Sequence, residues 1–187
     1  MLHPSYILLT LLFATATPLL AGNFTVDKTR SELSASMHAS PSHDFTSVAT
    51  DYHYDIQIDP ETLVVTKAIC SFKFSDLDSG KNSRDKKMRK WMNVEKYPVA
   101  AFKMQSLLPD NDAGEHVASG VFTMHGVSLP MNIAFTVKKL GDQIILDGHT
   151  EMNHKDWGLK QVKLFFFSVD TLLKPKFHLV GTLSSDA

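Results

Sequence analysis

Alternation between apolar and polar residues dominates this chain from about residue 24 onward. In the clearest case Tyr52, Tyr54, Ile56 and Ile58 alternate with polar residues, which is typical of a strand with one buried and one solvated face. The same period of two recurs, with varying regularity, at 33–37, 68–74, 100–105, 131–137 and 144–152. Further predicted strands lie at 117–125, which alternates little and is typical of a strand covered on both faces, and at 165–173 and 177–183. Polar turns separate these stretches, and we therefore predict about eight antiparallel strands joined mostly by short connections.

One stretch, residues 81–97, departs from this alternation. Met88, Trp91 and Met92 fall at helical spacing and form one narrow apolar stripe. The Asn-Ser pair at 82–83 supplies candidate N-cap side chains, and the Tyr-Pro pair at the end of the stretch is predicted to stop the helix. So narrow a stripe does not make a core by itself, and we expect this helix to cover something larger.

The rest of the predicted helix surface is basic. Its cationic residues are Lys81, Arg84, Lys86, Lys87, Arg89 and Lys90. Such charges ordinarily keep a helix face solvated, but basic residues also attract anionic lipid headgroups. Contact of the 81–90 segment with a membrane surface is therefore a hypothesis beside plain solubility.

Eight antiparallel strands with one apolar face have two common solutions. A closed barrel removes exposed edges and leaves an interior that side chains fill or that holds one small ligand. An open sandwich buries the same faces between two sheets. The pattern of residues alone does not separate these folds.

The first 21 residues are predicted to be a secretory signal peptide. Residues 7–21 are apolar, end in Leu19-Leu20-Ala21, and are too short and interrupted to span a bilayer. The alternative is an uncleaved membrane anchor, because no Lys or Arg precedes the apolar run. No cysteine follows the run, which argues against an acylated lipoprotein. We expect a periplasmic or secreted protein whose single domain covers residues 22–187.

The remaining composition excludes several functions. A formal net charge of -1 argues against general nucleic-acid binding. Cys70 is the only cysteine, so no internal disulfide forms, and we expect a buried thiol. The nine histidines are scattered without the spacing of a metal site, although the predicted turn between them would allow His149 and His154 to approach each other. We predict no metal and no cofactor.

No catalytic constellation is evident either. The chain has no nucleophile elbow and no glycine-rich phosphate loop. His125 stands next to a Gly-Val pair, and we expect its ring to anchor a turn rather than to act as a base. We therefore predict a protein that is not an enzyme.

Several short motifs resemble the signature of the YceI-like family. In chain order they are Phe24-Thr25-Val26-Asp27, Ile58-Asp59-Pro60, Arg84-Asp85 with Val94-Glu95-Lys96-Tyr97-Pro98 and Ala101-Phe102, Gly120-Val121-Phe122-Thr123-Met124-His125-Gly126-Val127, and Asp156-Trp157-Gly158-Leu159. Members of this family are lipocalin-like barrels, and some bind polyisoprenoid lipids. The resemblance implies an all-β fold, an eight-stranded antiparallel lipocalin-like barrel with one short helix covering or flanking an end.

The resemblance also implies a long-chain isoprenoid or related lipid enclosed in the barrel. Twelve phenylalanines and eight methionines suit a variable apolar guest, but an ordinary solid core has the same composition. The family likeness favours a hollow interior. The predicted apolar lining is Tyr52, Tyr54, Ile56, Phe72, Phe74, Met88, Trp91, Phe102, Met104, Phe122, Met124, Ile133, Phe135 and Leu146.

Arg84 and Arg89 are candidate ligands for an anionic lipid head, since guanidinium groups pair well with phosphate. Arg84 and Asp85 match the family motif, and for these two we expect a structural role, a salt bridge or cap that fixes the helix to the barrel. Formation of a homodimer is left open. The alternative functions are an envelope stress or structural protein with a solid core, and a metal-dependent redox accessory.

Overall fold

The computed structural model describes residues 21–40, 43–164 and 167–184, so all but the last residue of the predicted signal peptide lies outside the described residues. In this part of the chain the strands are β1 (Gly22–Val26), β2 (Glu32–Ser40), β3 (His43–Ala49), β4 (His53–Ile58), β5 (Val65–Lys73), β6 (Leu77–Asp78), β7 (Val99–Leu108), β8 (His116–Met124), β9 (Val127–Leu140), β10 (Gln143–His149), β11 (Met152–Asn153), β12 (Lys163–Leu164) and β13 (Phe167–Ser184). One α-helix, α1 (Asn82–Met92), and two 3₁₀ turns, Phe74–Asp76 and His154–Trp157, complete the elements there.

Eight of these strands close into an antiparallel barrel. Their order is β1, β4, β5, β7, β8, β9, β10 and β13, and β13 pairs back with β1. On the β1 side of β13 the sheet continues through β2, β3 and β6. The short strands β11 and β12 also pair with β13. The predicted fold class, an eight-stranded antiparallel barrel with one short helix, is confirmed.

The more apolar face of the alternating strands points into the barrel. Tyr54, Cys70, Phe102 and Phe122 lie opposite one another across β4, β5, β7 and β8. Directly opposed residues share one face of a sheet, so these four side chains form one row across the interior. Lys103, next along β7, is exposed on the outer face.

Strand β13 differs from the prediction of two strands divided at Lys174-Pro175. It is continuous from Phe167 to Ser184. Its partners on one side are β11 near Leu173 and β10 from Lys176 onward. Pro175 lies in the gap between these two pairings, where a missing backbone N–H costs little.

Helix α1 is shorter at its C-terminus than predicted. It ends at Met92, because Asn93 adopts a left-handed conformation with φ of 51° and its N–H bonds back to the last turn. Capping by Asn82 or Ser83 was wrong: Lys81 is the N-cap, and no side chain bonds there. Among the described residues no helix has both the length and the apolar character needed to cross a membrane.

Candidate functional site

A cavity of about 190 Å³ lies inside the barrel. Its walls are the inward-facing side chains of the barrel strands from β4 to β13, completed by β2, β3, β11 and α1. It is larger than a cavity of about 150 Å³ that accepts benzene and smaller than the roughly 300 Å³ at which drug-sized pockets begin. A slender apolar chain fits such a space better than a bulky ring system does.

Close contacts between aromatic rings and glycines help to keep this space open. A Cβ atom placed on Gly120 would lie 2.7 Å from Cζ of Phe102, and one on Gly148 would lie 2.3 Å from Cζ of Phe177. The two rings therefore press against bare backbone on the neighbouring strand. Without a side chain at either glycine, each ring lies along the wall and leaves the centre free.

Helix α1 contributes its apolar stripe to the same cavity. Met88, Trp91 and Met92 all line it. The indole Nε1 of Trp91 donates a hydrogen bond of 2.7 Å to the carbonyl of Lys160, and its ring meets the ring of His154 edge-on at 5.0 Å. The helix is thus held over the interior by the segment that follows β11.

The imidazole of His154 is buried beneath Trp91, with 1% of the residue exposed. Its Nδ1 donates to the carbonyl of Leu159 at 3.3 Å, and its Nε2 has no partner in the described structure. Burial lowers the pKa of His154 below its ordinary value, and the Leu159 bond opposes that shift. The ring is therefore neutral at pH 7.

The cavity wall between β4 and β5 is strongly desolvated. Burial raises the pKa of the Cys70 thiol to about 12, although the hydroxyl of Tyr54 nearby opposes the shift. Burial also raises the pKa of Tyr54 well above its usual value. Because burial disfavours the charged form of each group, a charged ligand atom would be disfavoured here as well.

The predicted pair of His149 and His154 is not brought together. His149 is exposed, with its Nδ1 3.7 Å from a carboxylate oxygen of Glu115, whereas His154 is buried. Across the described residues no group of three or more His, Cys, Asp or Glu side chains is arranged to hold a metal ion.

His125 occupies the turn between β8 and β9. Its backbone has a positive φ of 51°, and its Nδ1 donates to the carbonyl of Trp157 at 3.2 Å. Its ring packs on Tyr97 at 4.4 Å between centroids. These contacts fit the predicted role of His125 as the anchor of a turn.

A comparison with protein-family models identifies the fold. The YceI-like domain matches residues 24–180, most of the chain. The chain belongs to the YceI-like family. No curated protein matches this YceI-like chain.

Solved structures of low sequence identity share the YceI-like fold. BcnA of Burkholderia cenocepacia is 20% identical, with a TM-score of 0.74 over 84% of this chain and 100% of that protein. A polyisoprenoid-binding domain from Saccharophagus degradans, described as implicated in plant cell wall breakdown, is 15% identical with a TM-score of 0.65, over 87% of this chain and 99% of that domain. The YceI protein of Campylobacter jejuni is 16% identical with a TM-score of 0.61, over 75% and 85%.

Thirteen of the fourteen residues predicted to line the interior of this YceI-like barrel do lie on the cavity wall. They are Tyr54, Ile56, Phe72, Phe74, Met88, Trp91, Phe102, Met104, Phe122, Met124, Ile133, Phe135 and Leu146. Tyr52 is the exception: it lies outside the lining, and its hydroxyl donates to the carbonyl of Ser31 at 3.2 Å. Contact of any of these residues with a ligand stays a prediction.

The prediction missed several lining residues, and those of β2, β3 and β13 make up a whole section of the wall. Leu33, Ala35, Met37, Leu173 and Phe177 all face the cavity there. The alternation of apolar and polar residues assigned each of these residues to the apolar face of a strand. What it did not show is that β2 and β3 extend the barrel wall and so bring that face to the interior.

Arg84 and Arg89 do not line the cavity. Arg84 donates to both the hydroxyl and the carbonyl of Ser79, and Arg89 donates to the carbonyl of Ser75 at 2.9 Å. Buried Asp85 accepts from the backbone N–H of Ser79 at 3.1 Å and from its hydroxyl. These hydrogen bonds tie α1 to the 75–79 segment, in place of the predicted salt bridge or cap. A head-group role for the two arginines stays a prediction that these contacts do not favour.

Proposed function

We propose that this chain binds a long-chain isoprenoid or similar amphiphilic lipid inside its barrel and shields it from water. The observation that carries the proposal is the cavity of about 190 Å³ with an apolar wall. The polyisoprenoid-binding domain from Saccharophagus degradans has the same fold, which supports this ligand class. Membership of the YceI-like family is consistent with it.

The physical basis of binding is burial of hydrocarbon. Each enclosed CH₂ group contributes about 0.8 kcal/mol, so a chain of several prenyl units offsets the cost of association without many polar contacts. A guest in this volume also removes the cost of a void. At about 24 cal/mol per Å³, a volume of about 190 Å³ costs on the order of 4 to 5 kcal/mol relative to a filled interior.

Methionines give this wall the ability to adjust to its guest. Met88, Met104, Met124, Met131 and Met152 all line the cavity, and unbranched thioether side chains repack more readily than branched ones. Movement of these side chains would lengthen the space for a chain that exceeds the resting volume. Affinity is therefore expected to rise with the number of prenyl units and then level off.

We further propose that the protein acts outside the cytoplasm and collects its lipid at a membrane surface. The location outside the cytoplasm is proposed because residues 1–21 have the sequence of a signal peptide. Collection of the lipid at a membrane is proposed because the outer face of α1 is basic and exposed; its lysines there are Lys81, Lys86, Lys87 and Lys90. Each such charge contributes about 1 kcal/mol near anionic headgroups.

A structural protein with a solid core was the alternative. The cavity argues against it, because large aromatic and sulfur side chains surround an open volume instead of filling it. A binding role also explains the wall better than catalysis does, since a reaction needs polar groups placed around a reacting atom and this wall is almost wholly apolar.

Filling the cavity with a side chain tests the proposal. Ala118 lies opposite Ile133 on the inner face and lines the cavity. Ala118→Phe should occupy the space that the lipid needs, and we expect at least a tenfold loss of affinity for farnesol, measured by titration of intrinsic fluorescence. The unfolding temperature without lipid should stay the same or rise, because the added ring fills a void.

Ala101→Phe is the matched control. Ala101 lies opposite Ser71 and Thr123, on the outer face, and does not line the cavity. This variant should bind farnesol as the wild type does. Equal farnesol affinity in the wild type and in a folded Ala118→Phe variant would contradict binding inside the barrel.

A further inference from the structure

The apolar cavity contains hydroxyl groups that have no hydrogen-bond partner. The side-chain oxygens of Ser47 and Tyr54 are both fully buried and have no partner at full hydrogen-bond geometry among the described residues, and both residues line the cavity. The polar neighbour of the Tyr54 hydroxyl is the weakly bonding thiol of Cys70. A buried hydroxyl without a partner costs about 1 to 3 kcal/mol. Unpaired polar groups of this kind are rare in folded proteins, and each one calls for an explanation.

Both hydroxyls belong to side chains that face the interior. Tyr54 lies opposite Cys70 in the β4–β5 ladder, within the row that crosses the cavity. Ser47 lies opposite Ala35 in the β2–β3 ladder, and Ala35 is also a lining residue. Ser34 has no partner either and also borders the cavity, but neighbouring residues of a strand point to opposite faces, so its side chain lies on the face of β2 opposite to that of Ala35.

Ordered water does not readily satisfy these groups. A buried water needs two to four polar partners. On the inner face Tyr54 lies opposite the weak donor Cys70, and Cys70 lies opposite Phe102. Ile56 and Phe72 are the next inward residues along β4 and β5. The wall therefore offers the Tyr54 hydroxyl little besides a ligand that enters the cavity. An oxygen on that ligand would supply the missing partner.

The oxygen must be uncharged. The raised pKa values of Tyr54 and Cys70 show that this wall disfavours charge, and a phosphate brought there would lose its hydration without a counter-ion. Lys176 belongs to the lining, but it is exposed and alternates with the inward-facing Phe177. Its ammonium group is therefore directed outward.

We propose a hydrogen-bonding subsite in which the Tyr54 hydroxyl, with Ser47 as a further donor on the cavity wall, binds the uncharged hydroxyl or carbonyl oxygen of a lipid inside the barrel. The inference rests on the proposed lipid-binding function and adds the chemical class of the head. The ligand then enters with its polar end buried, and a lipid that ends in pyrophosphate is disfavoured.

A comparison of farnesol with farnesene tests the subsite, because the two share a prenyl chain and differ in the oxygen. The wild type should bind farnesol about two- to tenfold more tightly than farnesene, as one neutral hydrogen bond allows. Tyr54→Phe should abolish that preference and leave farnesene affinity unchanged. Ser47→Ala should reduce the preference. Farnesyl pyrophosphate should bind the wild type more weakly than farnesol.

Tyr52→Phe is the matched control, since Tyr52 lies two residues away, its hydroxyl is already bonded to Ser31, and it is outside the cavity. It should keep the farnesol preference. Without lipid, Tyr54→Phe should unfold at the same or a higher temperature than the wild type, because it deletes an unpaired group, whereas Tyr52→Phe should unfold at a lower temperature.

The outcomes separate the two proposals. An equal farnesol preference in the wild type and in Tyr54→Phe, or tighter binding of farnesyl pyrophosphate than of farnesol, would overturn the subsite and leave lipid binding in place. Failure of all three compounds to bind the wild type would overturn the subsite and the proposed function together.

Discussion

At the scale of single residues, Cys70 shows how strongly the barrel wall excludes water. Its thiol lies between Tyr54 and Phe102 in the ladders, and burial raises its pKa from 9.0 to about 12. A thiol in such surroundings is a poor nucleophile, because the thiolate is the reactive form. In this barrel Cys70 is a wall residue and not a reactive group.

This pKa shift predicts a loss of stability in alkali. Between pH 9.0 and about 12, the folded chain keeps the thiol proton that the unfolded chain has lost. The stabilising contribution of the group is complete below pH 9.0 and falls as the pH rises towards about 12. The free energy of unfolding of the wild type should therefore decline faster than that of Cys70→Ala, by up to about 1.4 kcal/mol per pH unit.

Urea unfolding of both proteins at successive pH values above 9.0 measures this difference. Titrating groups remote from position 70 are common to both proteins and cancel in the comparison. Beside burial, Cys70 also raises the pKa values of Tyr52 and Tyr54, which adds to the difference in the same direction. Parallel stability profiles for the wild type and Cys70→Ala would show that the thiol is accessible to water in the folded barrel.

At the scale of elements, α1 is the part of the cavity wall that does not belong to the sheet. It is held by the Trp91 bond to the Lys160 carbonyl and by the Arg84, Asp85 and Arg89 contacts to the 75–79 segment. It lacks the continuous backbone pairing of the strands. Elements with few such bonds open more readily than a core sheet does.

The bond from Trp91 to Lys160 should therefore control the escape of lipid. Trp91→Phe keeps an aromatic ring against the cavity but removes the N–H donor. The loss of one neutral hydrogen bond should speed the release of farnesol about two- to tenfold, measured by stopped-flow displacement. The control is Lys87→Gln, on the exposed outer face of α1, which should release farnesol at the wild-type rate. If the wild type, Trp91→Phe and Lys87→Gln all release farnesol at the same rate, α1 does not control the exit of the lipid.

The elements also show what the sequence could and could not predict. Period-two alternation located most of the barrel strands, because the solvated outer face demands polar residues at every second position, but it did not predict β1 or β3. The end of α1 at Met92 was not foreseen, since the left-handed Asn93 is a local backbone choice with a weak sequence signal. The continuity of β13 through Pro175 depends on which neighbours it has, a tertiary fact that no local pattern carries.

At the scale of the whole molecule, the account depends on a barrel that stays open. Composition could not predict this, since phenylalanine and methionine fill a solid core equally well. The opening depends on pairs that are distant in sequence, such as Phe102 on Gly120 and Phe177 on Gly148, and on the β2–β3 extension of the wall. Resemblance to the YceI-like family supplied the expectation of a hollow barrel.

The measurement that tests the central claim most directly is native mass spectrometry of the full chain, purified without detergent and then incubated with farnesol. We predict a species with one lipid per chain in the wild type, and loss of that species in Ala118→Phe. A wild-type protein that remains folded and shows only its lipid-free mass, before and after incubation, would contradict the account.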